Sequence, residues 1–123
     1  MNNESREVIN NDEIIIAEKE AAESTGIYTH NFSKPFTFEG KTYKELSFDF
    51  DGLTGADSLA IESELSSLGK VVITPEFSGE YLIRLAVRAC SEKVGADVFT
   101  AMPLRDYNKI RGKARSFLMN AAL

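Results

Sequence analysis

The segment FTFEGKTYKELSFDF, Phe36 to Phe50, constrains the fold more than any other stretch. Phe36 and Phe38 alternate with polar residues, and Leu46, Phe48 and Phe50 alternate again further on. Between the two runs, Glu39-Gly40 supplies a tight turn, with glycine where a positive φ is needed. The spacing predicts a β-hairpin over about residues 36–50, with one aromatic and aliphatic face and one charged face. A lone hairpin is marginal in water, so its apolar face has to be covered by helices or by another subunit.

The covering helices are legible downstream. LTGADSLAIESELSSLG predicts a helix over about 55–68. Thr54 with Asp57 three residues later fits a capping box, and Gly69 stands where a C-terminal glycine belongs. Ile61, Leu65 and Leu68 form one buried stripe. KVVIT follows as an extended connection, with room for a short third strand at 70–74. Thr74-Pro75 opens a second helix over about 76–94. Tyr81, Leu82, Ile83, Leu85, Ala86, Val87, Ala89, Cys90 and Val94 cover most of its circumference, leaving a polar strip of Arg84, Arg88 and Ser91. A helix apolar nearly all round is one wrapped by others, so this is the expected centre of the fold.

Gly95 ends that helix, Asp97 caps a short turn over 97–102, and Pro103 opens a last helix over about 104–120. On that helix Leu104, Tyr107, Ile110, Ala114, Phe117, Leu118 and Ala121 fall on less than half the circumference. Arg105, Lys109 and Lys113 point the other way, with Arg111 and Arg115 on the rim of the apolar stripe. The fold class is therefore α+β and mostly helical, a hairpin packed with three to four helices.

Charge divides the chain unevenly. Residues 1–30 carry seven acids and two bases, and residues 103–123 carry one and five, within a formal net charge of −5. MNNESREVINN reads as a disordered arm, and DEIIIAEKEAAES as either disorder or a loosely docked helix, within an acidic, flexible arm over 1–30 followed by a single domain over 31–123. A hydrophobic share of 43% against 27% charged places that domain among ordinary globular chains. The acidic balance argues against nucleic acid as the main partner, because neutralised phosphates supply most of that affinity. No segment approaches the ~20 apolar residues of a membrane span. Together with a single cysteine, this points to a protein of a reducing cytoplasm.

Catalytic constellations are thin. His30 is the only histidine, it sits in a polar stretch near the arm, and no partner is expected for it. Asp49, Asp51 and Gly52 superficially resemble a calcium loop, but Leu53 stands where an oxygen ligand is needed and Ala60 where the closing glutamate belongs. No lysine follows Gly52 and Gly55 to make a phosphate loop. Cys90 reads as a small core residue, and Arg84 with Arg88 as a solvated strip in preference to an anion site. No cofactor, metal site or catalytic residue is expected, and the chain does not read as an enzyme.

The order of motifs is more specific than any one of them. FTFEGKTYKEL (Phe36 to Leu46) leads into LTGAD (Leu53 to Asp57), then PEFSGEYLIRLA and a terminal MPLRDYNKI followed by FL. Over about residues 32–120, this arrangement resembles the tail assembly chaperones of long-tailed bacteriophages and prophages. The acidic stretch before Phe32 is longer than the family's pattern.

The resemblance implies a non-enzymatic protein of the bacterial host cytoplasm that is absent from the finished virion. Its implied partners are the tape measure protein, which it coats and keeps soluble, and the tail tube protein, which it recruits. The family also implies a longer form made by frameshifting, with this chain as the short form. A holdase for a long helical partner needs apolar or amphipathic surface, and repeated subunits along such a partner favour a homo-oligomer. Candidate surfaces are the hairpin face (Phe36, Phe38, Phe48, Phe50) and the terminal helix (Tyr107, Ile110, Phe117, Leu118), with Lys109 and Lys113 on its cationic back. Packing within the chain is the competing destination for both apolar sets. Two other functions compete with the chaperone: a small virion protein, such as a tail tube or head–tail connector subunit, and a helical DNA-binding regulator.

Overall fold

The computed structural model describes Ile15 and residues 26–122; the flexible arm expected for residues 1–30 otherwise lies outside the described residues up to Gly26. The chain runs β1 (Ile27–Phe38), β2 (Lys41–Asp49), α1 (Gly55–Ser67), a 3-10 turn (Pro75–Phe77), α2 (Gly79–Ala89), α3 (Ala96–Ala101) and α4 (Leu104–Ala122). This is an α+β, mostly helical fold, with one antiparallel hairpin followed by helices.

The hairpin closes at Glu39-Gly40, where both residues have positive φ, 48° and 80°. That pairing defines the two-residue turn whose twist matches its strands. The hairpin is longer than the alternation of 36–50 predicts, because β1 begins at Ile27. Residues 27–30 thus belong to the sheet and not to an arm. Asn31 lies opposite Glu45 and Phe36 opposite Tyr43, so residues 32–35 face Lys44 alone. Pro35 within this bulge has no N–H for the ladder. The bulge hid the first half of β1 by interrupting the period-two pattern before Phe36.

α1 starts as its cap residues dictate: the Thr54 N–H donates to the Asp57 carboxylate at 2.8 Å. It ends at Gly69, φ 72°, with Gly69 N–H bonded to Ser66 O and Lys70 N–H to Leu65 O, the paired bonds of a Schellman motif. No third strand forms at 70–74. Val71 and Ile73 are instead 86% and 90% exposed. The inner end of the β2 edge is taken by residues 90–91, through a Phe48–Cys90 bridge and a Ser91 N–H to Ser47 O bond of 2.9 Å.

The helix expected over 76–94 is shorter at both ends. Pro75–Phe77 makes a separate 3-10 turn, and Ser78 caps α2 by accepting from the Tyr81 N–H at 3.2 Å. Ser78 is a stronger cap than any residue inside the turn before it, so the helix restarts there. At the other end Cys90 turns extended to join β2, and the strand bonds replace further helical ones. The helix is central as expected: α1, α3, α4, β2 and the 3-10 turn all pack on it. Tyr81, Leu82, Ile83, Leu85, Ala86 and Ala89 are buried there. α3 contributes Phe99, fully buried with its ring 6.1 Å from Phe48. α3 and α4 otherwise follow the expected boundaries, with Gly95 and not Asp97 at the cap of α3.

Candidate functional site

Of the candidate surface residues, Phe48, Phe50 and Ile110 are core, each at most 1% exposed. They belong to intramolecular packing, with Phe50 stacked on Phe117 at 5.5 Å. Phe36, Phe38, Tyr107, Phe117 and Leu118 are half-buried against that core. Lys109 and Lys113 are exposed on the opposite side of α4. The hairpin face therefore splits in two. Its inner part is covered by α2, α3 and α4, while Phe36 and Phe38 at the turn end retain accessible ring surface.

His30 is where the structure departs furthest from the sequence reading. It is buried, 1% exposed, between β1 and α4. Its Nε2 lies 2.8 Å from Asp106 Oδ1 and its Nδ1 2.8 Å from the Tyr28 hydroxyl. A carboxylate only accepts, so Nε2–H is the donor there; Nδ1 of a neutral ring then accepts from the Tyr28 O–H. Burial and the negative charge of Asp106 both raise the Tyr28 pKa, which keeps that hydroxyl protonated as a donor. The ring also meets Phe32 edge-on at 4.8 Å.

Asp106 itself sits in the first turn of α4, where the helix dipole favours an anion, and it is 2% exposed. Its Oδ2 has no hydrogen-bond partner. His30 and Asp106 are buried while Tyr28 is half-buried at the surface end, and the chain pins β1 to α4. The signal that sequence reasoning missed is Tyr28-x-His30-x-Phe32, an alternation lying before the bulge.

Arg84 and Arg88 do not line an anion site. Arg84 bonds Glu64 at 3.2 Å and Glu80 at 2.6 Å, and Arg88 bonds Asp57 at 2.7 Å. The Glu64 and Asp57 pairs tie α1 to α2, and the Glu80 pair lies within α2. Cys90 is half-buried, and burial pushes its thiol pKa up, away from the thiolate that a nucleophile requires. Asp49 accepts the Gly52 N–H at 3.2 Å, which makes the DFDG stretch a turn between β2 and α1. Among the described residues no group of three or more His, Cys, Asp or Glu gathers as a metal ion would need.

Val71, Ile73 and Phe77 (58% exposed) stand out along the connection from α1 to α2, beside Leu68, which at 54% exposed leaves the buried stripe expected for it with Ile61 and Leu65. The 3-10 turn of this connection packs against α4, whose first residue, Leu104, is 70% exposed. A groove of about 460 Å³ follows the outer edge of β2 beside Ser91 and Glu92. A second, of about 440 Å³, crosses the basic face of α4. Among the described residues, no helix is long and apolar enough to cross a membrane. No family model matches the chain, and neither a curated protein nor a solved structure matches it.

Proposed function

We propose that this chain is a tail assembly chaperone of a long-tailed bacteriophage or prophage, a binding protein and not an enzyme. Its client would be the tape measure protein, held soluble while tail tube subunits are recruited around it in the host cytoplasm. The chain would act as a homo-oligomer together with a longer frameshifted form, and would be left out of the virion. The order of motifs from Phe36 to Leu118 suggests the family.

The observation that carries the reading is the exposed apolar series Leu68, Val71, Ile73 and Phe77 along the connection from α1 to α2. Large apolar side chains held in water around one connection suit an amphipathic helical client, which docks by its own apolar stripe. Phe36 and Phe38 add half-covered aromatic surface of the same chemistry. A two-stranded sheet gives little of the wall that a tube subunit needs, which weighs against the virion-protein alternative.

Co-expression with the tape measure protein is the test. The client should move from the insoluble to the soluble fraction with the native chain and return to the insoluble one with V71S/I73S/F77S. A client whose solubility is indifferent to the native chain would overturn the proposal.

A further inference from the structure

The groove on α4 is lined by Tyr28, Asn108, Lys109, Gly112, Lys113 and Arg115. Three of these are cations, and none takes part in an ion pair among the described residues. Lys113 Nζ stands 5.4 Å from the centre of the Tyr28 ring, and Arg115 Nε is buried without a hydrogen-bond partner. Clustered cations repel one another, which favours an anionic occupant.

The sequence before β1 supplies a candidate. Residues 12–24 carry Asp12, Glu13, Glu18, Glu20 and Glu23 against the single base Lys19. Their exit is fixed, because the Gly26 carbonyl accepts the Phe50 N–H at 2.7 Å and Tyr28 lines the groove two residues later. Gly26 has φ 79°, and a β-carbon there would collide with the Asp51 carboxylate, so glycine is required for this entry. Glu23 lies five residues before Tyr28, a reach of at most about 18 Å in extended chain. So short a tether gives an effective concentration in the millimolar range. A separate polyanion such as nucleic acid has no such advantage and meets a protein of net charge −5.

We infer that the acidic segment 12–24 docks into this groove within the same chain, its carboxylates meeting Lys109, Lys113 and Arg115. Docking there neutralises the cationic face and leaves the apolar connection at Val71–Phe77 open. The inference stands whether or not the tape measure protein is the client.

Two variants test it in the full chain. E18Q/E20Q/E23Q removes three anions. Gly112→Leu fills the groove: a β-carbon at Gly112 meets nothing within 4 Å, and the helix gains a better helix former. In amide NMR spectra, the triple variant should shift the signals of 109–115, and Gly112→Leu should shift those of 12–24. Both should leave β2 and α2 signals in place, which reports an intact fold. High salt should move the native protein toward the triple variant's spectrum. Groove amides that ignore the triple variant, or segment amides that ignore Gly112→Leu, would overturn the inference. Native shifts that change on dilution would overturn it too, by assigning the groove to a second copy's segment.

Discussion

Two sets of polar contacts to carboxylates join elements of this fold. His30 and Asp106 link β1 to α4 at 2.8 Å with side chains 1% and 3% exposed. Arg84 and Arg88 link α2 to Glu64 and Asp57 of α1 across the surface, where Glu64 is about half exposed, 51%. Length and chemistry are similar, but the surroundings are not. Water competes for the surface pairs and replaces a lost partner; nothing replaces one in the buried link. Position, more than pair distance, therefore sets what each contact is worth.

The largest effect should come from His30→Ala. It strands the Asp106 carboxylate, whose Oδ2 already lacks a partner, and opens a cavity beside Phe32. Removing one member of a buried pair destabilises by about 3–5 kcal/mol, readable as a lower denaturation midpoint by circular dichroism. H30F/D106L should recover much of that loss, since apolar side chains of similar volume replace buried polar pairs at little cost. If the double variant is as unstable as His30→Ala, the carboxylate is not the source of the penalty. Asp106→Asn should be milder, about 1–3 kcal/mol, because an amide still accepts from His30.

On the surface side, Arg84→Ala should cost about 1 kcal/mol or less, and less still in high salt. A loss as large as that of His30→Ala would break the comparison. Smaller again is the acid response of the α1 cap. The Thr54 backbone bond, with help from Arg88, lowers the Asp57 pKa. A lowered pKa means that the stabilisation is present above the unfolded value of 3.8 and is lost as pH falls through the folded one. Acid titration below about pH 4 should thus loosen α1, and in Asp57→Asn that acid-dependent step should disappear. The smallest stability change should belong to V71S/I73S, within about 0.5 kcal/mol, because both side chains already lie in water.

Local chemistry made much of this legible. The turn at Glu39-Gly40, the start and stop of α1 at Thr54 and Gly69, and the apolar wrapping around Leu82–Ala89 each depend on residues within a few positions of one another. Those features stand in the structure where the residues placed them. What escaped depends on residues distant in sequence. β1 before its bulge is stabilised by pairing with 45–49, and α2 stops at Ala89 because Cys90 finds Phe48.

The candidate surfaces show the same division. The amphipathic pattern of α4 identified Lys109 and Lys113 as outward and Ile110 as inward, and so they lie. It offered no means of ranking Phe36 and Phe38 against Phe48 and Phe50, which share one alternating face. Only the reach of α3 and α4 over the sheet decides that, burying the second pair and leaving the first half-covered.

By itself, the sequence determined the inventory of elements, the central helix and the acidic and basic ends. The tertiary structure decided the partners. A polar residue such as His30, read along the chain, has only its neighbours to define it. Its role comes from Asp106, 76 positions away, and from the exclusion of water that packing alone achieves.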